Sequence, residues 1–185
     1  MTDVARELVL LIEDERGTRS LLRSTLEREG LRAEECASGA AGLELLEQLR
    51  PDMVMLSLVL PGLDGFEILQ KMRARRSGAR VPILVLSGLE DIAAMQRAYD
   101  LGATDVIAKP VIPALLAYRV RYLLRAARAF DNVARSEADM VLAQRFAELG
   151  SWEWDVEANK AYWSDQIFAT LGVAANSVVP GLTTY

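Results

Sequence analysis

Short, unbroken apolar runs recur along the chain, separated by stretches with helical periodicity, and this alternation limits the fold more than any other feature. Leu8-Val9-Leu10-Leu11-Ile12, Met53-Val54-Met55-Leu56 and Val81 to Leu86 are continuous rather than alternating, as strands buried on both faces are. A weaker strand is expected over Leu31–Cys36 and another over Asp105–Ala108. Between them, Thr18–Glu29, Ala40–Leu49, Phe66–Arg76 and Asp91–Tyr99 space their apolar residues as helix faces, punctuated by Gly30, Pro51 and Gly102. Strand and helix in strict alternation predict an α/β fold, a doubly wound five-stranded parallel sheet.

After Pro113 the character changes. Residues 114–149 hold 36 positions without glycine or proline, enough for one helix of about 54 Å. Leu116, Val120, Leu123, Ala127, Phe130 and Ala134 follow a 4-3 spacing, which predicts a coiled-coil seam flanked by Arg119, Arg121, Arg125 and Arg128. A homodimer through this 114–149 helix is the expectation. Gly150 ends the helix, and Trp152–Asp155, Lys160–Trp163 and Asp165–Leu171 read as two short strands and a short helix. All three tryptophans fall in this tail, which is too short to bury a core alone.

Composition removes several kinds of chemistry. The chain has no histidine, which excludes histidine triads, histidine metal sites and a phosphoryl-carrying histidine. A lone Cys36 excludes an internal disulfide and is read as a small buried apolar residue. The net charge of −5 argues against nucleic-acid binding, which calls for a cationic surface. The N-terminal apolar run of five residues is closed by acids, so neither a signal peptide nor a membrane span is expected, and the location is read as cytoplasmic.

In a doubly wound sheet, functional side chains gather at the carboxyl ends of the strands. Those ends carry Glu13 and Asp14, then Ser57, Ser87 and Lys109. Two acids, hydroxyls and a lysine around one crevice suit a phosphoryl group with a divalent cation. A ligand binder of the glycine-rich-loop type is disfavoured, because Glu13-Asp14-Glu15 stands where such a loop would cradle an anion.

The stretches Leu10-Leu11-Ile12-Glu13-Asp14-Glu15, Pro51 to Gly65, Pro82 to Gly88 and Ala108-Lys109-Pro110 resemble the receiver domain of two-component response regulators, over residues 7 to about 127. The resemblance implies a CheY-like fold and a phosphorelay role. It implies that Glu13 and Asp14 hold Mg²⁺, that a sensor histidine kinase is the partner, and that Ser87 and Lys109 respond to phosphate. A cis Lys109-Pro110 peptide is expected from it. The sequence departs from the pattern at two positions. Ser57 stands where the family has its phospho-accepting aspartate, which weakens the Mg²⁺ site, and Val106 stands where it has a tyrosine or phenylalanine.

An alcohol needs a general base to attack phosphorus, so the expected result is a phosphorylation-silent pseudo-receiver and not an enzyme. The alternative is a working regulator of a kinase or cyclic-di-GMP output domain, silenced by an introduced Asp-to-Ser change. The tail, with Ser151-Trp152-Glu153-Trp154-Asp155 and Tyr162-Trp163-Ser164-Asp165, resembles the opening of a PAS sensory domain. The resulting partition is receiver over 1–127, helical linker over 128–149 and PAS-like fragment over 150–185.

Overall fold

The computed structural model describes residues 6–62, 64–88, 92–146 and 150–175, with the side chains of 144–146 left aside. Five strands, β1 (Leu8–Ile12), β2 (Arg32–Cys36), β3 (Met53–Ser57), β4 (Ile83–Ser87) and β5 (Asp105–Ala108), form one parallel sheet in the order β2-β1-β3-β4-β5. Helices α1 (Arg16–Arg28), α2 (Gly39–Leu49), α3 (Gly65–Arg73), α4 (Ile92–Asp100) and α5 (Pro113–Phe146) alternate with them. This is the expected doubly wound fold.

The pleat sorts each strand onto two core layers. Val9, Leu11, Met53, Met55, Leu84, Leu86 and Ile107 face Leu22 and Leu26 of α1 and Leu116, Val120, Leu123 and Leu124 of α5. Leu10, Ile12, Val54, Leu56, Ile83, Val85 and Val106 face Leu43 and Leu46 of α2, Ile68, Leu69 and Met72 of α3, and Ala98 of α4. Every residue of β1, β3 and β4 is buried, which is why those runs are continuous in sequence. At the sheet edge, β2 keeps only Ala33 fully buried, and its residues alternate accordingly.

Element ends have local causes. Glu15 caps α1, its carboxylate accepting from the Gly17 and Thr18 amides, and the hydrogen bond with Thr18 holds its pKa below the usual carboxylate range. Arg50 ends α2 in the left-handed region, one residue ahead of Pro51. Helix α3 stops at Arg73, short of the expected Arg76, because that guanidinium turns inward. It donates to the carbonyls of Gly102 (2.7 Å), Gly78 (2.6 Å) and Val81 (2.7 Å), and burial lowers its pKa. The turn before β5 and the approach to β4 are thereby tied to one side chain.

Helix α5 corrects the seam reading. Leu116, Val120 and Leu123 are buried in the core of the sheet domain, so the first half of the 4-3 pattern faces the chain's own sheet. Three of the four arginines expected beside a seam are engaged locally. Arg119 pairs with Asp105 at 2.6 Å, Arg121 with Glu29 at 3.1 Å, and Arg128 with Glu7. Beyond Arg128 the apolar side chains of α5 are exposed, among them Phe130, Val133, Met140, Val141 and Leu142. The expected helix end at 147–149 lies outside the described residues, as do Leu63 and the expected α4 start at Asp91.

The chain divides into two compact units, Met1–Arg128 and Ala129–Tyr185. In the second, β6 (Trp152–Asp155) and β7 (Lys160–Trp163) pair antiparallel, Trp152 opposite Trp163, and α6 (Asp165–Thr170) follows. Phe168 is buried, its ring 5.7 Å from that of Trp163, while Trp152 is exposed. Among the described residues no helix is long and apolar enough to cross a membrane.

Replacing Arg73 with methionine keeps the buried stem and removes the hydrogen bonds to three carbonyls and a longer one to Thr104 Oγ1. Urea unfolding is expected to show a loss of about 2–4 kcal/mol, and a change under ~0.5 kcal/mol would refute the clamp.

Candidate functional site at the strand ends

Parallel pairing places the ends of β1, β3, β4 and β5 side by side, Ile12 opposite Leu56, Ser57 opposite Leu86 and Ser87 opposite Ala108. The next residues out are the chemistry-bearing ones. Glu13 and Ser57 have no exposed surface, Ser87 is 2% exposed and Asp14 lies at the rim, exposed. Gly65 allows this crowding, since a Cβ there would sit 2.4 Å from Leu58 Cα in the segment leaving β3.

Lys109 joins the group. Its ammonium stands 2.6 Å from Glu13 Oε2 and donates to Ser57 Oγ at 2.9 Å. Ser57 in turn donates its proton to the Val59 carbonyl, 3.1 Å away. Glu13 Oε1 accepts from the Glu15 amide, whereas Oε2 has no directed hydrogen bond and is held by the ion pair alone. The Lys109 amide donates to the Ser87 carbonyl, and the Lys109-Pro110 peptide is cis, as expected.

This arrangement defines what the serine can do. A nucleophilic alcohol needs a base that removes its proton. Ser57 accepts from the Lys109 ammonium on one side and donates its proton to the Val59 carbonyl on the other. Val106, opposite Val85, is packed into the layer under α4. Burial pushes the Cys36 thiol up, in keeping with an inert side chain.

The donor set was tested for a divalent cation. Such an ion takes several oxygen ligands and favours carboxylates. Here one Glu13 oxygen is held by an ammonium, Ser57 is neutral and hydrogen-bonded, and among the described residues no three carboxylate or thiol side chains converge. As arranged, the residues do not fit the ion.

Sequence reasoning missed two supports. Arg19 Nη1 donates to the backbone carbonyls of Glu13 (2.8 Å) and Asp14 (3.0 Å), fixing the loop that carries both acids. Its place one turn into the helix after an acidic loop was the available signal. Asp105 gathers Tyr99 from α4 and Arg119 from α5, and its proximity raises the pKa of both; burial is the larger cause for Tyr99. Nothing in local spacing announces that cluster.

The sequence pattern of the family described as Response regulator receiver domain matches residues 9–121. Transcriptional regulatory protein AfsQ1 of Streptomyces coelicolor is 35% identical over 134 residues, 72% of this chain and 58% of that protein. The DNA-binding dual master transcriptional regulator RpaA of Synechocystis is 34% identical over 127 residues, 69% of this chain and 53% of that protein. The chain thus spans somewhat over half the length of these relatives.

Among solved structures, a putative response regulator from Chloroflexus aurantiacus superposes with a TM-score of 0.63 at 30% identity, covering 65% of this chain and 98% of that one. The receiver domain of a Pseudomonas aeruginosa sensor histidine kinase, solved with a magnesium ion coordinated in its active site cleft, gives a TM-score of 0.61 at 28% identity, with 65% and 98% covered.

Because Glu13 is buried and ion-paired with Lys109, removing either alone is costly. Lys109→Met and Glu13→Gln are each expected to lose about 1–3 kcal/mol in urea unfolding, the double variant losing less than their sum. Strict additivity would show that the pair is not coupled.

Proposed function

The chain belongs to the response regulator receiver family of two-component systems, and from that premise we propose that it is a receiver module silent to phosphorylation. Its receiver domain spans 1–127, and it regulates an attached region through protein contacts and dimerisation. The observation that carries this reading is the committed hydroxyl of Ser57, which accepts from Lys109 and donates to Val59. The serine stands at the phosphoacceptor position, with Glu13 and Asp14 as the remnant of a metal site and Ser87, Lys109 and Val106 as the remnant of the switch. No step of catalysis is assigned to the chain, and it works in the cytoplasm.

The linker over 128–149 is the dimerising segment, and the occupant of its apolar face is a second copy of this chain. Exposed Phe130, Val133, Met140, Val141 and Leu142 on a helix that continues past its own domain support this, and the seam starts only after the positions buried in the sheet domain. The hairpin and helix over 150–185 are the opening of a PAS-like domain, supported by the Trp-rich pairing of β6 with β7. The relatives being transcriptional regulators favours a regulatory output for the whole protein, and a sensor histidine kinase or other signalling protein is the natural partner. The second reading, an introduced Asp-to-Ser change in a working receiver, is favoured by the intact strand-end geometry around Ser57.

Intact mass after incubation with acetyl phosphate and Mg²⁺ tests this. The natural chain is expected to gain nothing and Ser57→Asp one phosphoryl group; a gain on the natural chain overturns the proposal. Light scattering at tens of micromolar is expected to give a dimer mass, reduced to monomer by Phe130→Glu with Val141→Glu. A monomeric natural chain would remove the dimer from the reading.

A further inference from the structure

We propose that the Lys109 ammonium is the permanent cation of the strand-end cleft, taking the place of a divalent ion there, so that the natural chain does not respond to Mg²⁺. The inference rests on the reading of this crevice as a receiver cleft and names what fills it. Its basis is the misfit found above between the donor set and a divalent ion, together with the contacts that cause the misfit.

A fully buried carboxylate must be neutralised or paired, since its desolvation is expensive. Glu13 has no exposed surface and one oxygen without a directed hydrogen bond. Among the described residues its ion pair is with Lys109 Nζ, at 2.6 Å. That ammonium is anchored by a second contact, the 2.9 Å bond to Ser57 Oγ, while the lysine side chain keeps 27% of its surface exposed at the mouth. A point charge on a flexible stem, tied at two points, fills the space between the ends of β1 and β3.

A divalent ion would have to displace it. Bonded to the same Glu13 oxygen at about 2.0–2.1 Å, Mg²⁺ would stand less than about 5 Å from the ammonium, with two positive groups sharing one carboxylate. A carboxylate at position 57 would draw the ammonium away and supply a ligand, but the neutral Ser57 does neither. Asp14 is exposed at the rim, and a single exposed carboxylate leaves the ion mostly hydrated.

The converse follows from the same charges. With the ammonium gone, Glu13 becomes an uncompensated buried carboxylate beside Asp14, and a divalent ion is then the nearest available source of positive charge. Lysine and metal are alternative occupants of one site.

Mg²⁺ titration of the full chain by calorimetry, with melting in EDTA and in excess MgCl₂, tests this. The natural chain is expected to give no saturable heat and equal melting temperatures. Lys109→Met is expected to melt lower in EDTA, to recover a few degrees in MgCl₂, and to bind Mg²⁺ at least about tenfold more tightly than the natural chain. Glu13→Gln in that background is expected to remove the response. A saturable Mg²⁺ response of the natural chain that Glu13→Gln abolishes overturns the proposal, and this arm needs no lysine variant to fold. A folded Lys109→Met chain indifferent to Mg²⁺ overturns it as well. Neither arm involves a phosphoryl group, so a labelled natural chain would refute silence and leave this result standing.

Discussion

A parallel sheet covered on both faces leaves polar side chains almost nowhere to go except the points where its strands stop. In this chain the strands β1, β3 and β4 are buried along their whole length, and two layers of apolar side chains cover them. Glu13, Ser57 and Ser87 therefore collect at one end, buried yet beyond the apolar layers. Once an acid is held there, it needs a positive partner, and the lysine after β5 supplies it. The site's chemistry follows from where the sheet ends and from which charge each strand happens to deliver.

Substituting one residue in such a cluster changes more than that residue. With a neutral serine at position 57, Lys109 has one charged partner in the cleft, Glu13, and one neutral one, the hydroxyl. The hydroxyl loses its freedom in exchange, since its lone pair and its proton are both engaged. The lysine, the acid and the hydroxyl are thus coupled through one set of contacts. Far from the cleft, Arg73 plays a comparable part with carbonyls in place of carboxylates, tying together the segments that lead into β4 and β5.

The doubly wound five-stranded parallel sheet was legible in the sequence because continuous apolar runs and helical spacing carry that information directly. That Glu13, Ser57, Ser87 and Lys109 would lie at the strand ends was legible too, since strand ends can be located by counting. What could not be read was how α5 divides its apolar residues. A 4-3 repeat describes a helix lying on a sheet as well as a helix lying on its twin, and only the buried state of Leu116, Val120 and Leu123 separates the two. The same holds for Arg119, Arg121 and Arg128, whose partners are distant in sequence. Asp14 and Glu13 are adjacent letters, yet one is exposed and the other buried, a difference set by the turn into α1.

Helix α5 runs unbroken from Pro113 to Phe146, with neither glycine nor a further proline in those 34 residues. Its first half packs on the sheet through Leu116, Val120 and Leu123, and its apolar residues from Phe130 onward are exposed. Each residue turns an α-helix by about 100°, which sets how the exposed side chains after Arg128 are directed relative to one another. Seven residues more or fewer would restore nearly the same bearing, while one would swing it by more than a quarter turn. Exposed residues seven apart, such as Val133 and Met140, therefore lie along one stripe of the helix.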